Sequence, residues 1–425
     1  MAQRLGVGII GTGFMTRFHI QSWRGVRDAD IVAVYSESAE RGGEIAALCR
    51  RLRVGDPVVY HDLAAMVRDP KVEAVWVVGT NDKRVPMIET ICGEVASGRA
   101  SLRGIACEKP LGRNVAEARR ITECVEQAGL LNGYLENQVF SPALVRGRDI
   151  VWRRGAAISG APYLARCAEE HSGPHRPWFW QGALQGGGVL NDMMCHSIEA
   201  GRFLLSSPDV GYGWIKPKAV TARIASLKWS RPEYAKRLRE EMGPAVDYIN
   251  HPAEDYATAE IVYETQTGEL VVAQASTSWS FVGAGLRLTY EALGPEYSLA
   301  INTLDSDAKV FFSRRVQGPA GEDLVEKQNA EQGLMPFIAD EAVTYGYTDE
   351  NRHMVESFLD GKSPRETFRD GLLVTELLMA SYLSAEEGCT LQFPVAGLES
   401  YVPEVAKGAW SPGSLVRVAK PSPLK

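Results

Sequence analysis

Asp192 and His196 stand four residues apart in GGGVLNDMMCHSIEAGRFLL (186–205), an apolar stretch led by three glycines. In a helix, residues at i and i+4 project from one face, one above the other. A histidine has an ordinary pKa of about 6.5, so it can take a hydroxyl proton near neutral pH. A carboxylate beside it can orient that hydroxyl or offset a neighbouring cation. Two other uses of the pair remain open. Asp192 follows glycines and would serve as a helix cap, with His196 an ordinary satisfied histidine. His171, His175, Asp192 and His196 also make a metal-ligand set in kind. The Gly-Pro inside HSGPH (171–175) keeps those two histidines off a shared helical face, and no metal is expected.

The residues ahead of this stretch read as a nucleotide-binding half. Leu5 to Ile10 is a short buried strand, broken by GTGFMTRFH (11–19) and followed by a helical pattern. G-x-G between a strand and a helix is the setting in which the motif binds dinucleotide. Gly11 allows the tight turn, and Gly13 lets backbone approach a pyrophosphate at the helix N-terminus. Thr12, Phe14 and Met15 complete the turn expected to line the cofactor, while Thr16 replaces the third glycine of the fingerprint. A second strand, IVAVY (31–35), ends at Ser36 and Glu37, where ribose recognition is expected. Glu37 favours NAD by accepting from the ribose hydroxyls; Ser36 with Arg41 would instead accommodate the phosphate of NADP. Further strands end in Thr80 and Asn81, in Glu108 and Lys109, and in Glu136 and Asn137. Alternation of strands with helices, such as 114–129 with Ala118, Ile121 and Val125 on one face, predicts a doubly wound parallel sheet. Polar residues gathered at strand C-termini are where such sheets bind ligands.

After about Pro142 the alternation fades. PYLARCAEEH, AVTARIASL, DYATAEIVYE, ELVVAQASTSW and LRLTYEALGPEYSLAIN read as strands of an antiparallel sheet with one wet face. A polar insertion near 228–253 carries a charged helix, PEYAKRLREEMG. NRHMVESFLDG and GLLVTELLMASYLSAEEG are amphipathic helices suited to pack back on the first domain. The expected division is 1–140, 141–390 and a tail over 391–425 rich in proline and glycine, running as extended chain.

Of 425 residues, 45% are hydrophobic and 23% charged, as in ordinary globular proteins. The net charge of -7 gives no basic surface for nucleic acid or anionic membrane. The seven cysteines form no Cys-x-x-Cys pair, which suits reduced thiols. No apolar run approaches the roughly 18 residues of a membrane span. A cytoplasmic protein is expected.

GTGFMTRFH, the EKP of 108–110, YLENQVFSP, GGGVLNDMMCH and FRDGLLVTELLMASYLSAEEG, in that order, resemble the Gfo/Idh/MocA family of nicotinamide-dependent oxidoreductases. The resemblance implies an α/β protein: a Rossmann domain, then an α/β domain with an open, mostly antiparallel sheet. It implies hydride transfer between NAD(P) and a hydroxyl of a sugar, polyol or glycoside. Lys109 matches the family lysine beside the nicotinamide, and its bond to Pro110 is expected to be cis. Asp192 and His196 match the family's D-x-x-x-H, with His196 as general base and Lys109 and Asp192 binding and polarising the hydroxyl. Asn81 and Glu108 match cofactor-lining positions, and Asn137 is expected with them. His171, His175 and Trp178 are expected to shape the sugar pocket. Thr16 and Phe18 depart from small family residues, which would alter the cofactor mouth. Relatives form dimers or tetramers through the exposed sheet face, so a homo-oligomer is expected. Some relatives oxidise a sugar only transiently, acting as glycosidases with no net redox change. A nucleotide- or sugar-binding sensor without catalysis is the remaining alternative.

Overall fold

The computed structural model describes residues 4–305, 309–312, 326–328 and 332–412. The chain divides into two units, Met1–Pro142 with Ala342–Thr375, and Ala143–Glu341 with Glu376 onward. Of the two late amphipathic helices, Tyr347–Asp360 lies in the first unit, while Phe368–Glu387 begins in the first and ends in the second.

The first unit is a six-stranded parallel sheet with order β3-β2-β1-β4-β5-β6. Its strands are β1 (Leu5–Ile10), β2 (Ala29–Tyr35), β3 (Val58–Tyr60), β4 (Ala74–Val77), β5 (Gly104–Glu108) and β6 (Leu131–Leu135). The helices α1 (Phe14–Ser22), α2 (Ala39–Leu52), α3 (Leu63–Val67), α4 (Arg84–Ala96) and α5 (Val115–Gln127) connect them. Strand order reverses between β1 and β4, the position at which open parallel sheets bind ligands. β1 is buried along its whole length, so it reads as one apolar run rather than an alternation. Ala118, Ile121 and Val125 of α5 sit in the core with Ile105, Cys107 and Tyr134. Gly129, at φ 66°, ends that helical segment in the left-handed conformation that glycine tolerates.

β3 is an edge strand of three residues, too short to show a pattern in the sequence. The helix Tyr347–Asp360 packs on the sheet through Phe358, whose ring lies 5.7 Å from that of Trp76. Close approach there depends on glycine: a Cβ on Gly104 would stand 2.6 Å from the Phe358 ring.

The second unit is built on a seven-stranded sheet, ordered β12-β11-β7-β10-β9-β8-β15. Its strands are β7 (Leu164–Glu170), β8 (Ile215–Ala225), β9 (Tyr256–Thr265), β10 (Leu270–Ser278), β11 (Arg287–Gly294), β12 (Tyr297–Asn302) and β15 (Leu391–Gln392). A separate ribbon pairs β13 (Lys309–Phe312) with β14 (Gly333–Pro336). The large sheet is antiparallel except where β10 runs parallel to β7. The run 286–302, expected as one strand, is a hairpin of β11 and β12. Pro295 lacks an N–H and marks the turn between them. The expected extended tail includes β15, which pairs with β8, and buries Leu398, Val405 and Trp410. Residues 413–425 lie outside the described residues.

One face of this sheet carries the helix Val189–Leu205, buried at every position. Ser197 donates to the Ser276 carbonyl at 3.1 Å, and a Cβ on Gly201 would lie 3.1 Å from the Ala273 methyl. Backbone and sheet therefore approach closely along this helix. The opposite face is polar at its centre. Arg166 donates to Gln274 and Glu291, and Gln274 donates to Glu260.

Gly104→Ala is expected to lower the unfolding free energy by about 1–3 kcal/mol, because Phe358 has no room to retreat from the added methyl. Denaturant titration of the full chain measures this loss.

Candidate active site

In the first unit, the turn after β1 is shaped for a dinucleotide. Gly11 has φ 120°, and a Cβ there would meet the Val78 carbonyl oxygen at 2.9 Å. Gly13 is the N-cap of α1 and no side chain caps that helix; a Cβ on Gly13 would meet nothing within 4 Å. Bare backbone at an uncapped helix N-terminus, at the switch point of the sheet, fits a pyrophosphate. Thr12 and Met15 are half-buried and Phe14 is exposed beside it. Thr16 and Phe18 do not reach the mouth: both are buried, with Phe18 5.0 Å from the ring of Tyr347. The helical period turns them inward, which corrects the expectation for these two residues.

At the end of β2, the Ser36 hydroxyl donates to the Ser38 carbonyl at 2.8 Å and accepts from the Ser38 N–H. The exposed Glu37 carboxylate is held by Lys83 Nζ at 2.8 Å from each oxygen. Thr80 and the buried Asn81 follow β4. Asn137, buried after β6, donates its amide to the Tyr345 carbonyl at 2.7 Å.

Lys109 follows β5, and its bond to Pro110 is cis, as expected. Two buried groups fix the backbone of this turn. Arg84, at the start of α4, donates to the carbonyls of Lys109 (3.0 Å), Gly79 (3.3 Å) and Pro110. Glu108 Oε2 accepts the Lys109 N–H at 2.9 Å, and Oε1 pairs with His19 Nε2 at 2.9 Å.

The protonation of His19 follows from its neighbours. Trp76 Nε1–H can only donate, and it donates to Asn351 Oδ1 at 2.8 Å. Asn351 Nδ2 then faces Ser22 Oγ at 2.8 Å and His19 Nδ1 at 3.0 Å. Nδ1 accepts from Asn351, so it is the Nε2–H of His19 that is donated to Glu108. Burial works against ionisation of Glu108. The His19 hydrogen bond and the positive groups around it, Lys109 and Arg84 among them, outweigh burial and hold its pKa below the ordinary value. Burial, reinforced by the charges of Glu108 and Glu136, drives Glu350 well above it.

In the second unit, Asp192 and His196 are buried on the helix Val189–Leu205. Neither caps it. The N-cap is Gly188, and the first N–H groups go to Glu254 and Tyr382. Gln185 Nε2 donates to Asp192 Oδ1 at 3.4 Å. His196 Nε2 stands 3.9 Å from Glu169 Oε2, within ion-pair range, with both side chains buried. Glu169 lies on β7, two residues before His171, on the buried face it shares with Ala165 and Cys167.

His171 is buried, and its Nδ1 accepts the Gly173 N–H at 2.9 Å, which leaves Nε2 as the protonated nitrogen of a neutral ring. His175 is exposed, and Trp178 is half-buried against Phe179 at 3.8 Å. Trp180 belongs to the core, ringed by Trp229, Tyr248 and Trp279.

Glu108→Gln tests the His19 network through acid stability. A carboxyl whose pKa is lowered on folding stabilises the fold above its unfolded value of about 4.3, and loses that contribution as pH falls through the folded value. The wild type should therefore lose stability below about pH 4.3 faster than Glu108→Gln, as read by urea midpoints across an acid series.

A family model described as "Oxidoreductase family, NAD-binding Rossmann fold" matches residues 5–134, and the "GFO/IDH/MocA C-terminal domain" matches residues 157–299. Among curated proteins, the D-apiose dehydrogenase of Paraburkholderia graminis is 25% identical, over 95% of this chain and 93% of that protein. The levoglucosan dehydrogenase of Pseudarthrobacter phenanthrenivorans is 26% identical, over 48% of this chain and 52% of its own length. An inositol 2-dehydrogenase of Pseudomonas fluorescens is 23% identical over 80% of this chain and 99% of its own. Among solved structures, GenD2 from gentamicin A biosynthesis, in complex with NAD, aligns with a TM-score of 0.73 at 24% identity, over 93% of this chain and 98% of that one. A levoglucosan dehydrogenase complexed with NADH and levoglucosan aligns at 0.68 and 20% identity, over 92% and 100%. These structural matches establish the fold, and the two family models together cover more than half of the chain. The chain belongs to the Gfo/Idh/MocA family and is an NAD-dependent oxidoreductase.

Proposed function

We propose that the protein is a dehydrogenase that moves a hydride between NAD and a ring hydroxyl of a sugar, polyol or glycoside. The observation that carries this reading is the helix Val189–Leu205. It buries an aspartate and a histidine on one face, and neither is needed to cap it. Burying such groups costs free energy unless they are partnered, and sites of chemistry are where proteins accept that cost. The relatives support the substrate class, since their names give D-apiose, levoglucosan and inositol, all polyhydroxylated compounds.

NAD, when bound, accepts the C–H electron pair as hydride. The residues of this chain manage the proton and the charge. His196 takes the hydroxyl proton as general base, and Glu169 stabilises the imidazolium that forms. Asp192, steadied by Gln185, accepts a hydrogen bond from the hydroxyl and fixes which oxygen is presented. Lys109 supplies positive charge to the developing alkoxide. Its backbone is immobilised by Arg84 and Glu108, which suits a group that must hold one orientation. Glu108 acts on Lys109 through its backbone, beside the cofactor turn. Gly11, Thr12, Gly13, Phe14 and Met15 hold the pyrophosphate, with Thr80, Asn81 and Asn137 along the nicotinamide side. Glu37 accepts from the ribose hydroxyls, with Ser36 beside it and Lys83 holding it in place. His171 donates from Nε2 to a substrate hydroxyl, and His175 and Trp178 line the approach.

Lys109→Ala and His196→Ala are each expected to lower kcat by about 10²–10⁴-fold, while the NAD dissociation constant stays within a few-fold of wild type. The assay is nicotinamide absorbance with D-apiose, levoglucosan and myo-inositol as substrates, alongside a calorimetric NAD titration. Full turnover by His196→Ala removes it as the base. NAD that fails to bind removes the reading altogether.

A further inference from the structure

Three glycines lead into the helix Val189–Leu205, and none can satisfy the N–H groups that open a helix. The preferred capping residues, Ser, Thr, Asp and Asn, are all absent at the N-cap, which is Gly188. The partners come from far along the chain. Glu254 Oε1 accepts the N–H groups of Gly188 and Leu190, each at 3.0 Å. The Glu254 carbonyl accepts the Val189 N–H at 3.1 Å. Tyr382 Oη accepts from Gly188 at 3.0 Å and Asn191 at 3.3 Å, and donates its proton to Glu254 Oε1 at 2.5 Å. Four successive N–H groups, 188 through 191, are thus met by two residues, both fully buried.

The glycines are the room this arrangement needs. A Cβ on Gly187 would lie 2.1 Å from Tyr382 Oη. A Cβ on Gly188 would lie 2.5 Å from the Glu254 carbonyl oxygen and 2.6 Å from its Oε2. Gly187 and Gly188, two of the triplet that reads as a helix entry, form the socket for an external cap.

We propose that Glu254 and Tyr382 are positioning residues for the reaction, clamping the start of the helix so that Asp192 and His196 are presented in one fixed setting. This rests on the reading of Asp192 and His196 as the residues that handle the substrate hydroxyl. Asp192 is the first residue beyond the four clamped amides, and its own N–H bonds back to the Gly188 carbonyl at 3.2 Å. A slip of the first turn therefore moves Asp192 directly. Catalytic rates are sensitive to misplacement on that scale.

The geometry also assigns the protonation of the clamp. Oε1 receives three donors, so it carries no proton of its own. Oε2 is buried with no hydrogen-bond partner among the described residues. Burial pushes the Glu254 carboxyl up to about 7, against the opposing pull of the Tyr382 and backbone hydrogen bonds. Among the described residues, Tyr248 and Tyr401 also feel its charge, both raised above their ordinary range by burial and so neutral. The adjacent Asp255 is engaged elsewhere, accepting from the N–H groups of Leu227, Lys228 and Trp229. A proton taken up near neutrality sits on Oε2 and leaves all three contacts of Oε1 in place. Glutamine reproduces that neutral form, with its amide nitrogen in the position of Oε2.

The test combines turnover with amide hydrogen exchange at residues 188–192 in the full chain, using Glu254→Ala, Glu254→Gln and Tyr382→Phe. Glu254→Ala is expected to lower kcat by at least about 10-fold on whichever of D-apiose, levoglucosan or myo-inositol the wild type oxidises. NAD affinity should hold, and exchange of the Leu190 and Asn191 amides should accelerate. Glu254→Gln should restore kcat to within a few-fold and protection to the wild-type level. Tyr382→Phe should fall between them, with Asn191 the amide most affected. Should Glu254→Ala not fold, Tyr382→Phe and Glu254→Gln decide the matter. A folded Glu254→Gln as slow as His196→Ala overturns the proposal, as does wild-type kcat in Tyr382→Phe or Glu254→Ala. Where none of the three sugars is oxidised, unchanged protection in Tyr382→Phe overturns it. Full turnover in His196→Ala would instead refute the base assignment, whatever the amides show.

Discussion

The Glu254 carboxylate at the start of the helix Val189–Leu205 is the interaction on which the second unit's contribution to chemistry depends. A helix that is buried at every position cannot borrow water for its first N–H groups. An unmet buried N–H costs about 1–3 kcal/mol, and four of them would make this helix unable to start where it does. The helix dipole adds a second reason for an acidic partner there. With the cap delivered by Glu254 and Tyr382, Asp192 is released from capping.

The first unit solves the same problem at the end of a strand. Lys109 stands where β5 stops and the ladder no longer satisfies the backbone. Glu108 takes the Lys109 N–H, and Arg84 supplies donors to the carbonyls of Lys109 and Pro110. Glu108 is in turn oriented by His19, His19 by Asn351, and Asn351 by Trp76. The chain of donors and acceptors has only one consistent direction, because the indole at its far end has nothing to accept with. His19 belongs to α1, the helix whose N-terminus fits the pyrophosphate. One hydrogen bond thus couples the cofactor turn to the lysine turn, so that neither can shift alone.

Much of this was legible in the sequence, and the pattern of success has a physical cause. The glycine turn, the strand ends and the i, i+4 pair are local features, fixed by periodicity and by what glycine permits. So are Ala118, Ile121 and Val125, which share a face and share the core. The β11–β12 turn was within reach, since Pro295 alone argues against one long strand. What escaped notice was partnership at a distance. Gly188 and Tyr382 are separated by 194 positions, and Trp76 and Asn351 by 275. Neither member of such a pair looks unusual in its own segment. The three-residue β3 and the two-residue β15 escaped for a different reason, being too short to carry a period.

The misread residues show how a local signal can be sound and its meaning still lie elsewhere. Glu108 was expected at the cofactor, and its chemistry does suit a ligand-binding edge. Its two oxygens accept from His19 and from the Lys109 N–H, so it also fixes the lysine turn. Thr16 and Phe18 were expected at the cofactor mouth because they follow the glycine turn, yet the turn of α1 carries them into the core. For Thr16 and Phe18 the direction of the side chain, not its place after the turn, decides where it sits. Read locally, the three glycines at 186–188 are an entry to a helix; in the structure Gly187 and Gly188 leave the space that Tyr382 and Glu254 occupy.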